Sequence, residues 1–547
     1  MRLILATAFF TACVFQTTSR ADDASDFGLM LNEDGDVVFA ESLGDDPAAV
    51  EAKLRANLDS LLSTGVETLV FNIACGSDIM HYPTDVGSRW GWRTVEKENA
   101  EPWATYLPAM RALTEQGLDS VRIAGEWCRD RDMRFVPSYR INDSHYAHDY
   151  QENPLTGRFY LENKHLELGA SPVAGNATFA RLLNFEHAEA RQYRLDVIRE
   201  VIDRHGDLID GFMIDFLRQP ILFPPGRAEA GAPYVTEFVR EVRRALDAAS
   251  AKSGRELPLI VRVPTSLRAC GWVGLDVAAW ASEGLIDVVI PAATMTLNHD
   301  VDYRSFAALT SPDGGPVVGG TVLPRTQFTW QMTATPDAAS YSGTGYRETT
   351  PAHVRGAVMN ARAGGAEVIE FYNINLPLSD AGRALVDAAA APRSGPRIYA
   401  VTPAYYLDHT HTYEDRKQVP ATLSPGDPQT LTLTVGESIS STADVHLRFG
   451  LRGIAETDRS LSVTLNGHDL GTFQLDADSV LAVTGTRSRP SSLHPADPDA
   501  YLQMAVDPKH LRRGENTLKV DLLAAGVRAV VEVVEVQLAV FGQGIDD

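Results

Sequence analysis

One acidic side chain set in an apolar strand offers the clearest chemistry in this chain: Asp215, within DGFMIDFLRQP (residues 210–220). Apolar and aromatic residues bracket the carboxylate, and Arg218 follows it. Strand alternation puts Asp215 on the same face as Met213, looking into a barrel mouth. A charge on an inward face is costly unless it has a partner. Two roles suit it: a structural carboxylate paired with an arginine, or a carboxylate that works on a substrate. A second polar stretch, RINDSH, brings Arg140, Asn142, Asp143 and His145 together at another strand end. Such a run can hold hydroxyls or an anion at fixed geometry. It can equally cap its own turn. Further polar groups end other strands: Asp34 and Asp36, Asn72, Arg262, and Glu370 with Tyr372 and Asn373.

Cleavage of a glycosidic bond uses two carboxylates. One protonates the leaving oxygen, and the other attacks the anomeric carbon or activates water. Asp215 is the first candidate, and Asp143, Asp36 and Glu370 compete for the second place. Glu370 faces inward if Val368 and Tyr372 do, and outward if Ile369 and Asn373 do. Arg140, Arg218 and Arg262 either pair with barrel acids or converge on a sugar bearing carboxylate or sulfate. His81 and His145 are candidate proton carriers or simple hydrogen-bond donors. The loop SRWGWRTVEKENAEPW either stacks sugar rings on Trp90, Trp92 and Trp103 or anchors itself in the core. No spacing matches a metal motif, and no cofactor is implied.

These residues need elements to position them. The Asp215 strand lies between two helical segments, NFEHAEARQYRLDVIREVIDRHG and YVTEFVREVRRALDAAS. Three strands precede it, in FGLMLNEDGD, VETLVFNIACGSD and MRFVPSYR, and LPLIVRVP, LIDVVIP, PVVGGTVLP and AEVIEFYNIN supply four more. Asp119 is placed to cap the helix that follows it. Eight strands alternating with helices predict an α/β fold, a (β/α)8 TIM barrel over residues 26–390. AAAAPRSGPR then reads as a linker. Alternating strands such as QTLTLTVG, DVHLRFGLRG and RAVVEVVEVQLAVFG predict a β-sandwich, jelly-roll-like, over 396–547. That module either binds glycan or braces the barrel.

With 547 residues, 44% hydrophobic and 22% charged, the chain has the composition of a folded globular protein rather than a disordered one. A formal net charge of −23 argues against nucleic acid or an anionic membrane as partner. The first 21 residues, with a basic start and an apolar run, read as a signal peptide cleaved after Ala21. Secretion or periplasmic export is the favoured reading. Phe10-Thr11-Ala12-Cys13 loosely resembles a lipoprotein box, which would tether the chain to an outer membrane. The apolar run is too short to span a bilayer, and no later stretch reads as transmembrane. Beyond the signal, Cys75, Cys128 and Cys270 are widely spaced, which suggests buried thiols, with one disulfide possible.

Several stretches together resemble a known group: LMLNEDGD, SYRINDSH, GFMIDFLRQP, and RVP followed by GLDVAAWASEGLIDVVIP. They are similar to the secreted glycosyl-hydrolase-like ("family 10-like") TIM-barrel proteins of planctomycetes and related bacteria. The resemblance implies a TIM barrel acting on polysaccharide. Asp34, Asp36, Asn142, Asp143, His145, Asp215, Arg218 and Asn373 fall at the group's polar strand ends. Related sequences often carry a Glu two residues before the strand-four Asp, where this chain has Met213. The motifs of true family 10 xylanases are not evident, so xylan is not implied. The expected activity is an exported glycoside hydrolase working with two carboxylates on a polysaccharide or oligosaccharide, neutral or anionic. The alternatives are a non-catalytic glycan-binding barrel and a polysaccharide lyase using Tyr or His as base beside an arginine.

Overall fold

The computed structural model describes residues 26–35, 46–94, 107–143, 145, 153–171, 177–217, 219–294, 296–310, 314–326, 347–403, 418–454, 459–476, 479–482, 498–523 and 530–542. Asp36, Trp103, Arg218 and the proposed signal peptide with Cys13 lie outside these residues.

Eight short apolar strands pair in parallel and close on themselves: β1 (Leu29–Glu33), β2 (Thr68–Asn72), β3 (Arg134–Arg140), β4 (Phe212–Asp215), β5 (Leu259–Val263), β6 (Val288–Pro291), β7 (Val317–Val322) and β8 (Val368–Phe371). They follow one another round the barrel in chain order, and β8 pairs with β1. At least one helix follows each strand before the next begins, the arrangement a right-handed parallel crossover requires. The fold expected from the sequence is therefore present: a TIM barrel, followed by antiparallel sheets. Local signals set the helix starts. Asp119 accepts from the Arg122 amide at 2.8 Å and begins Ser120–Arg129, as its position predicts. Ser379 and Thr350 cap Asp380–Ala390 and Pro351–Ala363 in the same way.

Parallel strands covered on both faces read as continuous apolar runs, so the inward face must be taken from packing. One buried cluster fills the barrel interior: Phe27, Met30, Val70, Val136, Met213, Ile260, Val288, Ile290, Val317 and Val368. The outward residues, Leu69, Phe135, Ile214, Val261 and Ile369 among them, join the larger core under the helices. On strand after strand, the next inward position toward the C-terminal end is polar. Asn32 follows Met30, Asn72 follows Val70, Ser138 follows Val136, Asp215 follows Met213, Arg262 follows Ile260, and Glu370 follows Val368. The barrel is thus apolar below and polar above, and the polar end is where βα loops begin.

After Ala390 the strands become antiparallel. One sheet contains β9 (Arg397–Val401), β12 (Asp444–Arg452), β15 (Leu481–Ala482), β16 (Ala500–Ala505) and β18 (Val531–Phe541), with β10 (Ala421–Leu423) also on β18. The other contains β11 (Gln429–Val435), β13 (Ser460–Leu465), β14 (His468–Gln474) and β17 (Gly514–Leu523). Alternate residues of both sheets share one core, including Leu431, Leu433, Leu447, Phe449, Val520 and Val536. The sheets meet the barrel through the helix Pro351–Ala363. A Cβ at Gly356 would fall 1.8 Å from the Ile398 carbonyl, so only glycine lets this helix lie on β9. His353 Nε2 bonds Gln537 Oε1 at 2.8 Å, and the Asn360 amide donates to the Thr434 carbonyl at 3.2 Å. The same helix leads into β8, the strand that carries Glu370.

Candidate active site

Three strand ends build the centre of the site. Asp215 ends β4, Arg262 lies on β5, and Glu370 and Tyr372 come from β8 on the opposite side of the barrel. Every group bonded to Asp215 is a donor. Its Oδ1 accepts from the Leu217 amide at 2.8 Å and lies 3.5 Å from Arg262 Nη1. Its Oδ2 accepts from the Tyr372 hydroxyl at 3.0 Å. Tyr372 therefore reaches across the mouth to the facing strand. Its ring lies over the Arg262 guanidinium, 3.5 Å from carbon to centroid.

Arg262 is fully buried, and each of its three nitrogens has a partner. Nε donates to Glu370 Oε2 at 2.9 Å, Nη1 faces Asp215, and Nη2 donates to the Ala293 carbonyl at 3.1 Å. The sequence left the direction of Glu370 open; the structure turns it inward. Its Cα pairs with Met30 on β1 and Thr321 on β7, and Thr321 Oγ1 lies 3.5 Å from its Oε2. This level is one inward step below Asn32 and Tyr372, directly above the apolar filling that includes Val368. It is 0% exposed, and Oε1 has no hydrogen-bond partner. Burial pushes its carboxyl up to about 7, outweighing the attraction of Arg262 that opposes the rise. Glu370, one of the candidates for the second carboxylate, is therefore a fully buried group paired with Arg262, whose other face the Tyr372 ring covers.

A second cluster forms the rim. Arg140, at the end of β3, donates to Asp34 just past β1, and its Nη1 lies 4.0 Å from Asp143 Oδ2. With its nitrogen turned toward Asp34, the Asn373 amide donates to both carboxylate oxygens at 2.9 and 2.7 Å. Asn373 has φ of 56°, a left-handed conformation that asparagine tolerates, and this turn aims its side chain back at β1. Asp143 accepts from the His145 amide at 2.8 Å and also contacts the His145 ring. Asp34 and His145 keep 22% and 33% of their side chains exposed, against 1% for Asp215, so the rim is where solvent enters.

Other expected residues do structural work. Asn142 donates to the carbonyls of Leu183 and Ile221 and accepts from the Leu183 amide, which ties two loops together and uses up its amide. Asn72 donates to the Ala74 carbonyl at 2.7 Å, but its buried Oδ1 has no partner. His81 bonds the Asn72 carbonyl at 2.9 Å, and burial lowers its pKa to about 4, so it is neutral at ordinary pH. Trp90 is buried and stacks on His81 with centroids 6.2 Å apart, so it anchors the loop. Cys75, Cys128 and Cys270 are buried thiols with no disulfide among the described residues.

Two features escaped the sequence reading. Asn32 is 2% exposed, inward on β1, with Oδ1 unpartnered; its place two residues after Met30 was the available signal. Below the loop carrying Asp143, fully buried Arg194 donates to Asp78, Tyr139 and Tyr160. The Tyr160 hydroxyl in turn bonds the Asp143 carbonyl at 3.1 Å. The helical text around Arg194 gave no sign that its charge turns inward.

Fold and site together define a TIM barrel with an acidic, arginine-bridged mouth and an antiparallel sandwich behind it. No protein-family model and no curated protein matches the chain. Among solved structures it is similar to an α-L-fucosidase from Vibrio sp. strain EJY3, at 11% identity and a TM-score of 0.38 over 95% of this chain and 97% of that one. A class V chitinase from Pseudomonas fluorescens Pf-5 matches at 10% identity and 0.36, over 66% and 99%. A cycloisomaltooligosaccharide glucanotransferase from Paenibacillus sp. matches at 10% and 0.35, over 94% of this chain and 57% of that one, so the chain spans little more than half of that enzyme.

Proposed function

We propose that this chain is an exported glycoside hydrolase acting on a polysaccharide or oligosaccharide, akin to the secreted family 10-like barrels. Asp215 carries the reading. It is an inward carboxylate at the end of β4 whose three contacts are all donors, and this suits an anion that attacks an anomeric carbon or activates water. Asp143, at the rim beside His145 and Arg140, is the partner that protonates the leaving oxygen. The unpartnered oxygens of Asn32 and Asn72 accept from sugar hydroxyls. The N-terminal sequence supports export.

The test is turnover by the purified protein on a broad glycan panel, with Asp215→Asn as control. We expect new reducing ends from the wild type and a loss of about a thousandfold or more in the variant. Equal turnover by both would remove Asp215 from the chemistry. A non-catalytic glycan receptor is the second reading. The observation in its favour is the 1% exposure of the Asp215 side chain. It predicts binding without product. The lyase reading calls for an arginine open to a uronate. Arg262 is buried and Arg140 is paired, which disfavours it among the described residues.

A further inference from the structure

Resting on the hydrolase reading, we infer that the substrate at the Asp215 mouth is an uncharged, hydroxyl-bearing sugar, and that uronate and sulfated sugars are rejected. Arginines at strand ends invite the opposite expectation, because a guanidinium fork suits a carboxylate or sulfate. The structure shows where those forks go. Arg262 is 0% exposed and gives its nitrogens to Glu370, Asp215 and the Ala293 carbonyl. Tyr372 covers its face. Arg140 gives one nitrogen to Asp34 and turns another toward Asp143. Among the described residues, the mouth therefore holds Asp34, Asp143 and Asp215 against Arg140 and Arg262, and both arginines are engaged by acids.

The walls of the mouth also hold buried acceptors. Asn32 and Asn72 are each 2% exposed, each faces inward, and the Oδ1 of each has no partner. The Asp34 and Asp215 carboxylates, already engaged by donors of the protein, add negative charge to the same mouth. Buried acceptors without donors are costly, and a ligand rich in hydroxyl donors removes that cost. A uronate or sulfate brings the reverse: further negative oxygens against carboxylates, with no donor to receive them. The selectivity is thus built into the Asp34–Arg140 pair, which neutralises Arg140, the strand-end arginine of the rim among the described residues.

The experiment uses matched glycans: uronate-containing oligosaccharides and the same oligosaccharides after chemical reduction of each carboxyl to a hydroxymethyl group. Binding is measured by calorimetry with full-length Asp215→Asn protein, and cleavage with the wild type. We expect the reduced member of a pair to bind about a hundredfold more tightly than its acidic counterpart. We also expect Asp34→Asn to narrow that ratio about tenfold or more by releasing Arg140. Preference for the acidic member overturns the inference, as does a ratio that Asp34→Asn leaves unchanged. Neutral binding without cleavage supports the inference while overturning the hydrolase reading. Absence of binding to every glycan overturns both.

Discussion

Replacing Glu370 with Gln isolates the buried pair under the mouth, and the pH dependence of stability reports it. The folded-state carboxyl is held up near 7, against an ordinary value of 4.5, because it is fully buried. Below about pH 4.5 the group is protonated in both folded and unfolded chains and costs nothing. Between 4.5 and 7 the unfolded chain releases the proton first, so stability falls as pH rises. A tenfold change in proton affinity is worth about 1.4 kcal/mol, so the wild type should lose about 3 kcal/mol across that window relative to Glu370→Gln. The groups facing Glu370 are Arg262, Thr321 and, through Arg262, Asp215; Tyr303 stands beside Thr321. Glutamine keeps an acceptor for Arg262 Nε and removes only the titration. His81 and His353, held near 4 by burial, act with the opposite sign: their contribution is full above about 6.5 and is lost as pH falls toward 4. They are present in both proteins and cancel in the difference. Urea midpoints for wild type and variant at pH 5 and pH 8 give the answer. A difference independent of pH, or one that grows in favour of the wild type at pH 8, refutes a buried, proton-holding Glu370.

Arg194→Met should leave Asp78 charged and uncompensated beneath the β2 and β3 loops, and cost about 3–5 kcal/mol in urea unfolding. The same variant should lower turnover beyond its stability cost, because Tyr160 links Arg194 to the Asp143 backbone. A stability loss below about 1 kcal/mol would mean that Asp78 finds another partner. His353→Leu strands the buried Gln537 oxygen between helix and sandwich and should cost about 1–3 kcal/mol. Limited proteolysis should then release the sandwich from the barrel more readily than in the wild type.

Much of this fold can be read directly from the sequence, and the site only in part, for one physical reason. Strand order, helix caps such as Asp119 and the polar ends of Met213–Asp215 and Val368–Glu370 are local properties of the chain, carried by alternation over two residues. Partnership is not local. Asn142 and Asp143 are neighbours with the same appearance in RINDSH, yet Asn142 is consumed by Leu183 and Ile221, 41 and 79 positions away, while Asp143 stays at the rim. Glu370 defeats alternation for a different reason: both faces of β8 are buried and apolar, so the residues flanking it do not reveal which face is the interior. Arg262, 108 positions distant, settles the matter by pairing with that carboxylate inside the barrel. A carboxylate, an arginine and a second carboxylate stand in a row across the barrel, and Met213 lies one inward step below the first of them. Beneath Asp215 a second negative charge would have only Arg262 to share, and that guanidinium already serves two. An apolar residue at 213 keeps the charges of the centre to one cation between two acids, with Glu370 free to hold its proton. Met213→Glu should therefore raise the cost of folding most above pH 7, by about 2–4 kcal/mol, and unfolding free energies that match the wild type at pH 8 would show that the arginine has capacity for a third carboxylate.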